Sequence, residues 1–150
     1  MALIRTEPEK VEDYPPNIRS MMKKPSPAAR TLGLKVEAFD VEGGYAELSF
    51  DAGEGLLNKW GAIQGGMVAA MLDEALAHAA GLTLSWGEIC PNLETKVSFL
   101  SVARPGRLLA KGRMVKRGKQ VGFVEAELRD EAGKLLATAT GTVAFMAAKG

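Results

Sequence analysis

One continuous apolar segment near the middle of the chain has the pattern of a buried helix. Residues 67–72 are apolar at every position and residues 75–80 are nearly so. A segment that is apolar on all faces over this length is typical of a helix enclosed on most sides. Gly65 and Gly66 precede the segment and Gly81 follows it, so the pattern predicts a helix that begins after the glycine pair and ends near residue 80.

Strand-like segments lie on both sides of this helix. Before it, residues 34–42 and 45–51 flank Gly43-Gly44, a spacing that predicts a β-hairpin. After it, four apolar segments are separated by turn residues: 89–102, 107–116, 120–129 and 134–147. The last two segments alternate apolar and polar positions, which predicts half-buried antiparallel strands.

The order of these elements predicts an α+β fold. Two strands, one long buried helix and a four-strand meander fit a single curved antiparallel sheet that wraps around one central helix. Residues 1–25 are polar and interrupted by prolines. We therefore expect an N-terminal arm over residues 1–25, with one short helix over residues 17–24, followed by a single domain over residues 26–150.

Composition and charge are those of an ordinary globular protein. The 150 residues are enough for one domain with a real core, and 47% hydrophobic with 25% charged residues is a common balance. The net charge of +1 leaves no electrostatic footprint for nucleic acid or an acidic membrane, so neither is an expected partner. The single cysteine, Cys90, excludes an internal disulfide framework and fits a reducing compartment. With no apolar segment of signal-peptide or membrane-spanning length, a cytoplasmic location is expected.

The residue counts also remove several kinds of chemistry. One histidine and one cysteine cannot build a His/Cys zinc site within one chain, so no metal is expected. A Ser-His-Asp triad would need His78, which lies on the predicted helix. The sequence contains no P-loop and no GxGxxG, and no cofactor is expected. What remains is acid chemistry on Asp or Glu.

An acidic pair inside the predicted helix is the first candidate site. Asp73 and Glu74 interrupt an otherwise apolar segment, and a carboxylate is seldom buried without a partner. Gly65 and Gly66 leave the first backbone N–H groups of the helix unobstructed, and these groups can stabilise a developing negative charge, as in an oxyanion hole. On the residues alone a second interpretation stays open, in which the glycines end a loop and an acid forms a surface or interface salt bridge.

A motif around this helix matches a known family. That family has an Asn, a Gly, a His-Gly-Gly and an acid nine residues after the His, and here those positions are Asn58, Gly61, Gln64-Gly65-Gly66 and Asp73. Downstream, LETKVSFLSVARPG, VKRGKQVGFVEAEL and DEAGKLLATATGTVAF echo the family's strands and turns. Over residues 32–147 the chain resembles the PaaI-like acyl-CoA thioesterases of phenylacetic acid degradation, which have the hotdog fold. One position departs, since Gln64 replaces the family's histidine.

The resemblance implies a role for each residue of the motif. Asp73 would attack the thioester or activate water, and the Gly65 N–H, assisted by Gly66, would polarise the thioester carbonyl. Asn58 and Gln64 would orient that carbonyl or the attacking water. A glutamine donates and accepts hydrogen bonds but does not move a proton near neutral pH, so only the orienting role survives at position 64.

The spacing of the two central residues requires a second chain. Gly65 and Asp73 are eight residues apart, which is about 12 Å along a helix axis. One helix therefore cannot bring both residues to one reacting carbon. The resemblance implies an isologous homodimer with antiparallel helices and shared active sites, and it leaves a homotetramer open.

Three alternatives to this assignment are kept. Glu74 could be the catalytic acid, although its spacing to His78 fits a structural or interfacial pair on one helix face. Asp73 and His78 have the acid–histidine spacing of hotdog enoyl-CoA hydratases, but five residues on a helix diverge by about 140°. The third alternative is a non-catalytic acyl-CoA binding or regulatory module that lost turnover together with the histidine.

A few residues outside the motif are candidates for substrate contacts. Trp60 flanks the predicted helix and is a candidate for lining the acyl pocket, although a Trp near a helix end is more often part of a core or an interface. Lys116 and Arg117, beside Lys119, are expected on a solvated face, with binding of the coenzyme A phosphates as a second interpretation.

Overall fold

One long helix and one seven-stranded antiparallel sheet contain about half of the chain. The structure, a computed structural model, describes residues 2–148. Its helices are α1 (Pro16–Lys23), α2 (Pro27–Thr31) and α3 (Gly65–Gly81), and short 3₁₀ turns cover Pro8–Asp13 and Glu54–Leu56. Its strands are β1 (Ile4–Arg5), β2 (Leu34–Asp40), β3 (Tyr45–Ala52), β4 (Glu88–Ile89), β5 (Asn92–Phe99), β6 (Gly106–Arg117), β7 (Val121–Asp130), β8 (Leu135–Ala144) and β9 (Met146–Ala147). Within residues 2–148 no helix combines the length and apolar character needed to cross a membrane.

The strand order confirms most of the predicted sheet and corrects one part of it. The order is β1-β2-β3-β6-β7-β8-β5, and β4 pairs with β9 apart from it. The predicted hairpin is confirmed, since Asp40 pairs with Tyr45 across the turn. The predicted four-strand meander is wrong: β6, β7 and β8 form a meander, but β5 lies at the far edge beside β8.

Helix α3 explains why β5 leaves the meander. It packs against β3, β5, β6, β7 and β8, so the chain crosses the face of the sheet between β3 and β5. The chain therefore re-enters the sheet at the edge opposite β1, and β6 pairs with the side of β3 that β2 does not occupy. No local pattern in the sequence encodes this crossing, because both positions suit an alternating strand equally well.

The sheet curls around α3 and buries one side of it. The helix residues that face the sheet are fully buried: Met71, Leu72, Ala75, Leu76 and Ala79. The predicted alternation in β7 is confirmed, because Val124 and Leu128 are buried while Phe123 is exposed. The closest approach is at Gly112 in β6, where any Cβ would collide with the Ala75 carbonyl oxygen. Small residues thus let the helix lie against the sheet.

The N-terminal arm covers the other side of α3. The predicted short helix is confirmed as α1, whose Ile18 is buried in the core. The Asn17 Nδ2 donates to the Gly81 carbonyl at the end of α3, at 3.4 Å. The Tyr14 ring meets the Phe39 ring edge-on at 5.4 Å between centroids. The arm is therefore packed onto the domain, and the division at residue 26 stays a prediction.

Candidate functional site

The start of α3 presents two backbone donors without acceptors. Gly65 is the first residue of the helix, and Gln64 precedes it with φ −57° and ψ 135° and without a side-chain capping bond. The Gln64 carbonyl oxygen accepts from the N–H groups of Met67 and Val68, at 2.8 and 3.1 Å. Among residues 2–148, no acceptor meets the N–H of Gly65 or Gly66. These two donors, at the positive end of the helix dipole, favour a negative charge.

Asn58 shapes the loop that leads into this helix. Its Oδ1 accepts from the N–H groups of Trp60 and Ala62, at 2.9 and 3.2 Å, and Gly61 between them has φ +75°. A positive φ there is easy only for glycine, which accounts for Gly61 in the motif. The sequence predicted an orienting role for Asn58. Its Oδ1 holds the loop, while its Nδ2 has no acceptor within residues 2–148.

An apolar cleft adjoins the helix start. It has a volume of about 360 Å³, and its walls include Asn58, Ile63, Gly65, Val68, Phe99 and Val102. The Phe99 ring lies over the first residue of α3, with its Cε1 3.6 Å from where a Cβ of Gly65 would be. Trp60 lies outside this cleft: its side chain is 76% exposed, with the Lys59 Nζ 4.5 Å from the ring centroid.

Asp73 lies two turns further along α3, on its open side. The residue is exposed, and the Asn92 Nδ2 donates a hydrogen bond to its Oδ1. Asn92 is the first residue of β5, the edge strand. Sequence reasoning missed Asn92, because nothing in the spacing of residues 73 and 92 indicates a contact that depends on where β5 enters the sheet.

Glu74 lies on a different face of α3 and lines a separate cavity. Its Oε2 lies 3.6 Å from the His78 Nδ1, as their spacing predicts, and that nitrogen also lies 2.7 Å from the Glu74 carbonyl oxygen. Both residues line a cavity of about 220 Å³ beneath α1 and α2, next to Ser20 and Met21. Burial, and then the charge of Asp73, raises the pKa of Glu74, while burial lowers the pKa of His78. Asp73 and His78 therefore point into different surroundings and form no hydratase pair.

Arg117 is held in place by contacts within the chain. Its Nη2 donates to the Glu88 Oε2 at 2.9 Å, and its guanidinium carbon lies 3.3 Å from the Phe145 ring centroid. Such a contact combines an ion pair with a cation–π interaction. Lys116 beside it is exposed.

One row of paired residues across the sheet connects Arg117 to Asn92, the residue that contacts Asp73. Arg117 pairs with Gly122, Gly122 with Val143, and Val143 with Asn92. Three strand spacings separate Arg117 from Asn92, about 14 Å along the sheet. The row therefore runs from Arg117 to Asn92, the residue that contacts Asp73.

The structure thus separates the predicted site into two halves. The cleft at Gly65 does not include Asp73, which lies about 12 Å further along the helix. The outer edge of β5 is not paired with any strand of residues 2–148. Four large apolar side chains on or next to β5 are more than half exposed: Leu93, Phe99, Leu100 and Val102.

Comparison with known proteins gives consistent matches. Residues 61–137, which include α3 and β5, match the family model described as the thioesterase superfamily. A candidate esterase of Saccharolobus solfataricus is 28% identical over 132 residues, which cover 88% of this chain and 92% of the relative.

Solved structures with the same fold extend this result. A candidate thioesterase related to phenylacetic acid degradation, from Ralstonia eutropha JMP134, is 40% identical with a TM-score of 0.78, over 84% of this chain and 97% of that one. A Streptococcus mutans UA159 protein, solved bound to acetyl CoA, has a TM-score of 0.70 at 20% identity, over 78% of this chain and 91% of that one. The second likeness is one of fold alone.

Proposed function

Because the chain belongs to the thioesterase superfamily, as a thioester hydrolase with the PaaI-like hotdog fold, we propose that it hydrolyses acyl-CoA thioesters at sites shared between two copies. The products are a free acid and coenzyme A. Each site combines Asp73 of one copy with the Gly65 N–H of the other. The acetyl CoA bound by the Streptococcus mutans protein supports coenzyme A as the thiol half of the substrate.

The free edge of β5 is the observation that carries this proposal. If β5 pairs antiparallel with β5 of a second copy over its full length, Asn92 lies opposite Phe99 of that copy. Asn92 holds Asp73, and Phe99 covers Gly65. The pairing therefore brings Asp73 of one copy to Gly65 of the other, and two-fold symmetry repeats the site.

The same edge has the character of an interface. An open strand edge presents unpaired N–H and C=O groups that favour pairing with another chain. The exposed Leu93, Phe99, Leu100 and Val102 add apolar surface, and each such side chain contributes about 1.5–3 kcal/mol when fully buried. These features support a homodimer through β5. A homotetramer stays a prediction, as does a cytoplasmic location.

Hydrolysis of the thioester in this proposal uses one carboxylate, Asp73, and the backbone N–H donors at the start of α3. The thioester carbonyl oxygen accepts from the Gly65 N–H, assisted by Gly66, and the helix dipole stabilises the oxyanion. As a nucleophile, Asp73 forms an anhydride with the acyl group and expels the thiolate of coenzyme A, which takes up a proton, and water then cleaves the anhydride. As a general base, Asp73 takes a proton from water that attacks the carbonyl directly, and the tetrahedral intermediate then expels the thiolate of coenzyme A, which takes up that proton. In either route Asn92 holds Oδ1 and leaves Oδ2 for the reaction.

The remaining motif residues have positioning roles in this proposal. Gln64 has no capping bond, so its amide is available to orient the carbonyl or the attacking water. Asn58 offers its Nδ2 for the same purpose. Outside the motif, we keep Trp60 as a candidate for lining the acyl site, and Lys116 and Arg117 as candidates for binding the phosphates of coenzyme A.

Hydrolysis of a panel of acyl-CoA thioesters by the wild type and by Asp73→Asn tests the proposal. We expect turnover of at least one thioester, lost in the variant, while light scattering shows an unchanged dimer. Full turnover by the variant would contradict the role of Asp73. Binding of acyl-CoA without turnover by the wild type would instead favour the non-catalytic module, the function that Gln64 in place of histidine suggests.

A further inference from the structure

Trp86 is the most exposed large apolar side chain of residues 2–148. Its side chain is 97% exposed, on the turn between α3 and β4. The turn is fixed from both sides, because the Ser85 N–H donates to the Glu88 Oε2 at 2.8 Å and the Ala148 N–H donates to the Gly87 carbonyl at 2.7 Å. A rigid turn thus presents an indole ring to solvent, where burial against a flat partner would stabilise it.

Arg117 connects this turn to the end of β6, where two exposed lysines are close to it in the sequence. The Glu88 Oε2 that accepts from Ser85 also accepts from the Arg117 Nη2, at 2.9 Å. This shared carboxylate ties the turn of Trp86 to the turn that follows β6. Lys116 precedes Arg117 in β6 and Lys119 lies in the turn after it, and both lysines are exposed. Neither lysine forms an ion pair with any of residues 2–148, so their charges are available to an anion.

The distance from Arg117 to the strand residue that contacts Asp73 is one that the pantetheine arm of coenzyme A can span. The sheet row from Asn92 to Arg117 spans about 14 Å, and Asn92 contacts Asp73. An extended pantetheine arm can bridge such a distance from a thioester at Asp73. The nucleotide end of the same substrate molecule would then arrive at Trp86, Lys116 and Lys119.

We propose that Trp86, Lys116 and Lys119 bind the adenosine phosphate half of the acyl-CoA substrate, with the purine stacked on Trp86 and the phosphates on the two lysines. This inference rests on the proposed function. A purine has a π-face that matches an exposed indole, and phosphate oxygens match ammonium groups. Beside its proposed contact with the phosphates, Arg117 has a positioning role, because it fixes the Trp86 turn through Glu88.

Adenosine 3′,5′-bisphosphate is the probe that tests this surface, because it carries the nucleotide of coenzyme A without a thioester. In calorimetric titrations we expect the wild type to bind it and Trp86→Ala to bind about tenfold more weakly, in line with the loss of one stacking contact. Trp86→Phe keeps an aromatic face and should retain most of the affinity. Lys116→Ala and Lys119→Ala should weaken binding and its dependence on salt, whereas Lys134→Ala, an exposed lysine in the β7–β8 turn, should not.

Two results would overturn the inference. One is equal binding of the probe by the wild type and Trp86→Ala, or no binding by either. The other is loss of the dimer or of a larger assembly in Trp86→Ala, which would make Trp86 a subunit contact.

Kinetics separate this inference from the proposed function. Trp86→Ala should raise KM for acyl-CoA and leave KM for the matching acyl-pantetheine unchanged. Equal effects on both substrates would overturn the nucleotide surface and leave the hydrolase intact. Binding of the probe that depends on Trp86, in a protein that hydrolyses no thioester, would overturn the hydrolase and leave the nucleotide surface intact.

Discussion

Two neighbouring carboxylates on α3 have opposite surroundings, and the difference explains why we assign the proposed reaction to only one of them. Asp73 points to the open β5 edge, where Asn92 holds it and solvent reaches it. Glu74, about 100° further around the helix, lies beneath the N-terminal arm beside His78. An acid that faces the β5 edge is accessible to a substrate, whereas burial of an acid under packed helices disfavours its charged form.

Exchanging each acid for its amide should give the largest contrast. Asp73→Asn removes the carboxylate to which we assign the reaction and should lower kcat by about 10³-fold or more. Glu74→Gln removes a charge that burial disfavours, so kcat should change by less than about threefold. Steady-state hydrolysis of one acyl-CoA by both purified dimers measures the difference. The comparison fails if Glu74→Gln is the inactive variant.

Asn92 allows a finer test of the Asp73 side. Asn92→Ala removes the donor that fixes the carboxylate and should lower kcat by roughly 10–100-fold with little change in KM, because the effect is one of positioning. Asn92→Ser keeps a short O–H donor and should retain more of the activity. Equal kcat values for the wild type and Asn92→Ala would show that Asp73 needs no such support.

The burial of Glu74 and His78 should be measurable as a pH dependence of the free energy of unfolding. Burial lowers the folded pKa of His78 below its unfolded value of about 6.5. The neutral imidazole is therefore favoured in the fold, and stability falls as pH drops below about 6.5, by at most about 1.4 kcal/mol per pH unit. The raised pKa of Glu74 acts in the opposite direction, because protonation of that carboxyl relieves its burial as pH falls.

Urea unfolding of variants that all carry Glu74→Gln separates the contribution of His78 to the pH dependence of stability from that of Glu74. Between about pH 7.5 and about pH 5.5, Glu74→Gln should lose more free energy of unfolding than Glu74→Gln/His78→Gln. If the free energy of unfolding of the two variants changed equally with pH, His78 would not be held neutral beneath the N-terminal arm.

Local patterns predicted the elements better than their positions. Helix α3, the hairpin at Gly43-Gly44 and the alternation in β7 follow from hydrophobic periodicity and turn residues, which act over a few positions. The Glu74–His78 contact follows from helical spacing. The place of β5 at the sheet edge depends on how α3 crosses the sheet, and no short segment encodes that.

The residues of the proposed site divide in the same way, into those that one local motif contains and those that the tertiary structure brings in. Gly65 and Asp73 were accessible from the sequence because they stand in one motif on one helix. Asn92 was not assigned, and Trp86 was considered only as a residue of the acyl pocket, since the roles that we propose for them depend on a strand edge and a turn that only the tertiary structure defines. Sharing of the site between chains was predicted from the helix length between Gly65 and Asp73, and the open β5 edge supplies a surface for it.

Gly65→Pro is the variant that removes the other half of the proposed site, as Asp73→Asn removes the carboxylate. Proline removes the N–H of residue 65 and is tolerated at the first position of a helix, and the extended backbone of Gln64 is the conformation that precedes proline. Gly65→Ala keeps the N–H and places its Cβ in ordinary contact with Phe99, so it reports the effect of added bulk. The Asp73→Asn and Gly65→Pro homodimers should each be inactive, since every site lacks one half.

Activity of the mixed dimer tests the shared site most directly. Two affinity tags allow purification of a dimer with one Asp73→Asn chain and one Gly65→Pro chain. That dimer holds one intact site, built from Asp73 of the second chain and Gly65 of the first, and should show about half of the wild-type turnover per dimer. A mixed dimer as inactive as its two parents would contradict a site formed between the chains.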